Sequence, residues 1–295
     1  MILAAVSLLH SFPVIATETD QFSNRGQVIT DSTVVLNRKV NEALAAVAAE
    51  QHGDHNRKAI VRAVYRRLGG AFFVDKIERW AIESPSVEKQ ENSKRNNIYT
   101  SMPVGVRRLT YLFGFGRTIR VNDQLIGLDK ISHFISQGRK FYVRYLKHRS
   151  ETVAAERSAF LERGIFGSLT TGSFSNADLV ANYEGYRFYR SLFEDDVIPG
   201  KLAIFRWQND SWLVQRKFDW ADHVNEYWDE ALNVNKFNRR LEKYMRLKLL
   251  TLCEEFRQNP ELYDFGDEEQ LRTRYAHLGL QHSTHLRLDN LCAQN

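Results

Sequence analysis

The chain is organised around two stretches, GLDKISHFISQG at 127–138 and TTGSFSNADLVANYEGY at 170–186. Each embeds a few polar residues among apolar and aromatic ones. If the first is helical, Asp129, His133 and Gln137 recur at i, i+4 and i+8 and share one face. Because a buried polar group without a partner costs about 1–3 kcal/mol, we expect this row to face other polar groups or a ligand.

The second stretch carries a similar polar row. Asp178 and Asn182 are one helical turn apart, and Ser175 is placed to cap the helix that holds them. Two such rows close together in sequence indicate that their polar groups face one another or a common ligand. The alternative is that Asp178 only stabilises a helix N-terminus, by about 0.3–1 kcal/mol, and that His133 is a hydrogen-bonded core residue.

These residue types suit acid–base chemistry. A carboxylate such as Asp129, one turn from His133, can fix the histidine tautomer and raise its basicity. Glu162 ends a predicted helix (151–163) just before a hydroxyl-rich loop. Many lysozyme-like glycosidases hold their acid at such an edge, and Asp178 would complete a carboxylate pair. The alternative for Glu162 is an ordinary exposed residue of a last helical turn. The predicted catalytic residues are Glu162, Asp178, His133 and Asp129, and the predicted substrate-binding residues are Gln137, Thr170, Thr171, Ser173, Asn182, Trp228 and Glu230.

Residues 219–257 form the longest helical pattern of the sequence. Within it Asp222, Glu226, Glu230 and Asn233 recur at i, i+4, i+8 and i+11 and would form another polar row. Acids stacked at i, i+4 repel by a few tenths of a kcal/mol unless a cation or a proton neutralises them. A metal ion would do so, but the basic residues that follow would also balance a solvated face.

The rest of the sequence predicts a mainly α-helical fold with one or two small β-hairpins. Helical periodicity is present at 30–50, 54–68, 72–83 and 151–163. Alternating residues and Asn-Asp turns indicate hairpins at 118–126 and 202–214. Since no Pro/Gly-rich linker or internal repeat interrupts the chain, we expect one helical domain over residues 17–295.

Composition and charge narrow the class of protein. The net charge is +5, from 41 basic and 36 acidic residues that are scattered along the chain, and no nucleic-acid-binding module is recognisable. We therefore expect no nucleic-acid partner. Residues 1–16 are typical of a secretory signal peptide, although an apolar segment packed on the fold is the alternative. No later stretch is apolar enough for a transmembrane span. Cys253 and Cys292 can form a disulfide in an oxidising compartment.

The segment Asp129-Lys130-x-x-His133-Phe134 resembles a D-K-x-x-H-F helix motif of uncharacterised bacterial envelope proteins. Two later segments, 177–185 and 228–230, are similar to segments of secreted Gram-negative proteins of unknown function. The resemblance spans roughly residues 120–240. It implies an envelope setting and no particular activity.

Together these features predict a periplasmic or secreted hydrolase that acts on a cell-envelope polymer, for example a lysozyme-like glycosidase that acts on peptidoglycan. Glu162 would protonate the leaving oxygen, while Asp178 would stabilise the developing positive charge or position water. One alternative is a divalent-metal-dependent hydrolase with Asp129, His133, Asp178 and Glu230 as ligands. The other is a non-catalytic periplasmic binding or scaffold protein whose polar rows fix the register of its helices. Apart from that metal, no cofactor is expected.

Overall fold

The computed structural model describes residues 19–70, 74–90, 97–99, 102, 116–163, 172–264 and 266–293, with only the backbone described for 161–163. The structure is 55% helical, and its β-structure consists of small two-stranded antiparallel sheets. The prediction of a mainly α fold is therefore confirmed. The signal-like segment 1–16 lies outside the described residues.

Three helices open the described chain: α1 (Thr33–Glu50), α2 (Arg57–Leu68) and α3 (Lys76–Glu83). Their apolar spacing places one stripe of each helix in the core. In α1 the stripe consists of Leu36, Val40, Leu44, Val47 and Ala48. The cap of α2 is Asn56, whose side chain accepts bonds from two backbone N–H groups of the first turn.

Short antiparallel strand pairs connect the helices. They are β1 (Thr118–Val121) with β2 (Gln124–Gly127), β3 (Ser173–Phe174) with β6 (Lys236–Phe237), and β4 (Phe205–Gln208) with β5 (Ser211–Val214). The first and last pairs are the two predicted hairpins. Their turn residues Asn122, Asp123, Asn209 and Asp210 all have positive φ. A two-residue turn of this hand requires positive φ at both positions, which Asn and Asp tolerate.

The first central stretch forms a long helix with a π-turn inside it. α4 (Asp129–Ser132) passes into a π-turn at His133–Gln137 and continues as α5 (Gly138–His148). Next come α6 (Glu151–Arg163), as predicted, and α7 (Asn176–Ser191), the second central helix. Ser175 caps α7 as expected, because its hydroxyl accepts a bond from the backbone N–H of the third residue on.

α5 and α7 cross at two glycines. A Cβ added at Gly138 would lie 2.5 Å from the Cα of Gly185, and one added at Gly185 would lie 1.9 Å from the carbonyl oxygen of Phe134. Only hydrogen fits at these positions, so the two backbones are in direct contact. This crossing brings the π-turn against the first half of α7, where the second polar row lies.

The predicted helix at 219–257 is wrong in its first half. Two 3₁₀ turns, Trp220–Asp222 and Glu226–Trp228, lie there instead, and helix resumes at α8 (Arg239–Leu250) and α9 (Cys253–Gln258). The reason is local competition for the backbone N–H groups.

Asp219 and Asn225 each use a side-chain oxygen to accept a bond from a backbone N–H two residues later. Such turns compete with helix formation. The predicted row of four polar residues therefore does not exist. Its first member, Asp222, pairs with Lys201 and Arg216 near the surface, whereas Glu230 turns into the interior.

The C-terminal part adds α10 (Glu268–Tyr275) and α11 (Leu288–Ala293). A disulfide between Cys253 and Cys292 joins α9 to α11, and this bond is compatible with secretion. Within the described ranges, every helix is too short or too polar to cross a membrane.

Candidate functional site

The site is built around a buried lysine. The ammonium group of Lys130 lies 2.8 Å from an oxygen of Asp129, 2.7 Å from one of Asp178 and 2.8 Å from one of Glu230. Only 2% of the lysine side chain is exposed. We call Lys130, these three acids and His133 the charged cluster.

Three separate elements supply the charged cluster. Asp129, Lys130 and His133 come from α4 and the π-turn, Asp178 from the first turn of α7, and Glu230 from the irregular segment after the second 3₁₀ turn. The Ser175 hydroxyl donates to Glu230 at 3.1 Å and accepts from the backbone N–H of Asp178 at 3.1 Å. One capping residue thus positions two of the three carboxylates.

The charges set the pKa values inside the charged cluster. Burial alone would lower the pKa of Lys130, but the three carboxylates raise it well above its usual value. Burial would raise the pKa of Asp178, yet His133 and Lys130 together lower it. Burial raises the pKa of Glu230, and Lys130 opposes this only in part. Lys130 is therefore a permanent cation rather than a nucleophile, and Asp178 stays ionised more readily than Glu230.

His133 lies at the edge of the charged cluster. Its Nδ1 is 3.1 Å from Oδ1 of Asn182, and its Nε2 is 3.4 Å from Oδ2 of Asp178. The amide nitrogen of Asn182 donates to Ser158 Oγ at 3.3 Å, which leaves its carbonyl oxygen facing the ring. Nδ1 therefore carries a proton and donates it to Asn182. The groups that orient the ring are Asp178 and Asn182, and not Asp129 as predicted from the spacing.

Three members of the charged cluster could hold a metal ion. Asp129, His133 and Asp178 each offer a ligand atom, and these atoms lie within 4.8 Å of one another. A nitrogen and two carboxylate oxygens suit Mn²⁺ better than zinc. The ammonium of Lys130 already contacts both acids, so a bound cation would have to share them with it.

Gln137 and Trp228, two of the predicted substrate-binding residues, do not join the charged cluster. Gln137 is half-buried at the end of the π-turn, where i→i+5 bonding changes its position relative to His133. Within the described part of the chain, no hydrogen bond links it to the charged cluster. Trp228 is fully buried beside Phe134 and offers no surface to a ligand. Ser173 is buried in β3. Thr170, Thr171 and the side chain of Glu162 lie outside the described residues.

Two further acids, Asp75 and Glu78, contact serines of α4 and of the π-turn. Burial raises the pKa of Asp75 to about 6 and that of Glu78 to about 8. Ser136 donates to Asp75 at 2.6 Å, and Ser132 donates to Glu78. The negative charge of Asp129 adds to the rise at Glu78. Buried carboxyls therefore approach α4 and the π-turn from α3 as well as from α7. Ser132 and Ser136 are the residues in the sequence that could have indicated these acids.

A second buried network surrounds Glu184 on α7. This carboxylate is 0% exposed and receives hydrogen bonds from Arg187, Arg274 and Tyr275, while His223 Nδ1 lies 3.0 Å away. The side chain of Arg274 is 34% exposed, whereas those of Arg187 and His223 are 12% and 1% exposed. We interpret it as a structural network that ties α10 to α7.

Lys130 is the residue that the sequence reasoning missed. It stands inside the quoted motif, directly after Asp129, but received no function. The available signal was charge balance, since several acids at one buried site require a cation. Comparisons of this chain with known protein families, with curated proteins and with solved structures give no match.

Proposed function

We propose that the protein is an exported hydrolase that acts on a cell-envelope polymer, with His133 and Asp178 as its acid–base pair. The observation that carries the proposal is the exposed edge of the charged cluster. The side chains of His133 and Asp178 are 15% and 12% exposed, whereas those of Lys130 and Glu230 are 2% exposed. The two groups suited to proton transfer are thus the ones closest to solvent.

The chemistry follows from the hydrogen bonds of the imidazole. With Nδ1–H donated to Asn182, Nε2 is the ring nitrogen that takes up the proton of the attacking water, and Asp178 Oδ2, 3.4 Å from Nε2, faces the N–H so formed. The water oxygen attacks the polymer bond as that proton leaves. Asp178, kept ionised by Lys130, stabilises the imidazolium. In the glycosidase form of the proposal, Glu162 donates the proton that the leaving oxygen takes up.

Two observations support export. The disulfide between Cys253 and Cys292 forms and persists in oxidising compartments. The signal-like pattern of residues 1–16 agrees with that setting. A periplasmic or secreted location and a peptidoglycan substrate are parts of the same proposal.

The test is release of soluble muropeptides from purified sacculi. We expect release by the wild type and its loss in His133→Gln and Asp178→Asn, each checked for folding by circular dichroism and melting temperature. His148→Gln and Glu156→Gln change exposed residues of the same types and should retain activity. Equal release by the two site variants and the wild type would exclude this pair as the catalytic centre.

A metal-dependent hydrolase is the second candidate, favoured by the close ligand atoms of Asp129, His133 and Asp178. The charged cluster has three carboxylates and one ammonium, which leaves negative charge for a cation to balance. Saturation with Mn²⁺ at about one hundred times its Kd would stabilise the fold by about 2.7 kcal/mol. His133→Gln should remove that stabilisation. Unchanged melting temperature and hydrolysis after chelation would exclude this form and leave the metal-free one.

A further inference from the structure

A recess of about 280 Å³ opens between the start of α2, the end of α7 and the β4–β5 hairpin. Its walls are aromatic, and we call it the aromatic recess. Five rings line it, those of His55, Phe193, Phe205, Trp207 and Trp212. Asp178 and Phe193 are fifteen residues apart, and α7 spans most of that interval. At about 1.5 Å per helical residue, the recess lies roughly 20 Å from Asp178 of the charged cluster.

The rings of the aromatic recess hold one another in place. The centroids of Trp207 and Trp212 are 5.2 Å apart in an edge-on arrangement, and His55 lies 5.0 Å and 5.1 Å from them. Phe193 meets Trp212 edge-on at 5.5 Å. The indole N–H of Trp212 donates to the carbonyl oxygen of Asp54 at 3.2 Å. The ring faces are therefore preorganised before any ligand binds.

Two guanidinium groups lie at the rim. Arg57 stands over the ring of Phe193 at 5.4 Å, and Arg206 is exposed on β4. Neither forms an ion pair with a carboxylate in the part of the chain that the structure describes. The one acid of the recess, Asp195, accepts a bond from the backbone N–H of Ala203 and so fixes the adjacent loop. The aromatic recess therefore presents positive charge beside the partly exposed ring of Trp207.

We infer that the aromatic recess binds one residue of an anionic oligosaccharide. The C–H face of a pyranose packs on an indole ring, and its hydroxyl groups remain available to polar groups at the rim. A carboxylate on the sugar would pair with Arg57 or Arg206 in a bidentate manner. Arg206 donates to the side-chain oxygen of Gln208 at 2.6 Å, so an anionic ligand would add a carboxylate partner to a guanidinium that has only a neutral one. This binding is independent of the proposed hydrolysis.

The experiment is calorimetric titration of the full chain with tetragalacturonate and with its methyl ester, which has the same rings without the charges. We expect tetragalacturonate to bind at least about tenfold more tightly than the ester, since a charge-assisted pair contributes more than about 1.4 kcal/mol. Trp207→Ala should weaken binding of both sugars about tenfold. Arg57→Gln should weaken only the charged one.

Matched controls separate ligand contact from folding. Trp80→Ala removes a half-buried tryptophan elsewhere, and Arg62→Gln removes an exposed arginine from the same helix as Arg57. Both should leave affinity unchanged, as should Asp178→Asn, which disables the proposed catalysis. The inference is overturned if tetragalacturonate does not bind, if the ester binds equally well, or if Arg57→Gln and Arg206→Gln both bind like the wild type. Binding of anionic vesicles that tetragalacturonate does not displace would also overturn it.

Discussion

Replacing Lys130 by methionine tests whether one ammonium holds the charged cluster together. The substitution preserves much of the apolar stem but leaves Asp129, Asp178 and Glu230 without their common cation. Removing one partner of a buried ion pair costs about 3–5 kcal/mol. With three buried carboxylates affected, we expect a loss near the upper end, about 5 kcal/mol. Small domains have only about 5–15 kcal/mol in total, so the variant should be marginally stable near neutral pH.

The pH dependence of the variant gives the sharper signature. In the wild type Lys130 and His133 keep the pKa of Asp178 low, so the stability that this ionised group contributes is lost only as the pH falls through that low folded-state value. Without the ammonium, desolvation raises the pKa of the carboxyls above their unfolded values. As the pH is lowered from 7 to 5, Lys130→Met should therefore gain more stability than the wild type, in which the raised pKa values of Glu78 and Asp75 already give some gain. The wild type should gain nothing from Asp178 over that range.

Urea unfolding followed by tryptophan fluorescence measures both quantities, with the disulfide kept oxidised. Lys58→Met, an exposed residue of α2, is the control and should change stability by less than about 0.5 kcal/mol. The reasoning is refuted if the free energy of unfolding of Lys130→Met lies within about 1 kcal/mol of the wild-type value and has the same pH dependence, because buried charge without a partner destabilises a fold by more than that.

Three other substitutions have defined outcomes. Burial raises the pKa of Glu78 from 4.5 to about 8, so this residue lowers the stability of the folded wild type as the pH rises. Urea unfolding should show that the wild type loses about 3 kcal/mol through this residue between pH 5 and pH 8, and that Glu78→Gln does not lose it. Gly185→Ala should cost about 1–3 kcal/mol in thermal unfolding, because its Cβ would overlap a backbone carbonyl, whereas Gly26→Ala should cost little. Serine at both Cys253 and Cys292 should lower the denaturation free energy by about 3–4 kcal/mol, since the disulfide closes a loop of sequence separation 39. The first prediction is contradicted if Glu78→Gln has the same pH dependence of stability as the wild type. The second is contradicted if Gly185→Ala has an unchanged melting temperature, and the third if the double serine variant has an unchanged denaturation midpoint.

Elements defined by local periodicity could be predicted from the sequence. The stripe of α1 and the span of α6 follow from three- and four-residue spacing. Both hairpins follow from alternation around an Asn-Asp turn, because few other residues accept positive φ at two successive positions. In each case the deciding interactions lie within a few residues of one another, so the sequence contains the whole argument.

The segment at 219–235 could not be predicted in this way. Its polar residues recur at helical spacing. Asp219 and Asn225 nevertheless accept bonds from the backbone, and each caps the start of a separate three-residue 3₁₀ turn. Distant partners then stabilise the irregular path. The amide of Gln21, more than two hundred residues away, accepts a bond from the backbone N–H of Glu230. No local pattern reports a contact of that separation.

The sequence identified the three acids and the histidine of the charged cluster as site residues, but neither Lys130 nor the arrangement of the five groups. The sequence places Asp129 with His133, and Asp178 with Asn182, on two helices. They meet because Gly138 and Gly185 let those helices touch, and neither glycine reveals its partner locally.

That close contact also explains why the cluster contains its own cation. Backbones in direct contact leave little room for water between the two polar rows, so the carboxylates could not remain ionised by hydration alone. An ammonium from the same helix supplies the missing charge, and its permanent protonation fixes which carboxylate can serve the neighbouring imidazole. A lysine that follows an aspartate within an apolar helix segment therefore indicates a buried charged site when other acids are expected nearby. Its ammonium group neutralises those carboxylates and so lowers the free-energy cost of burying them.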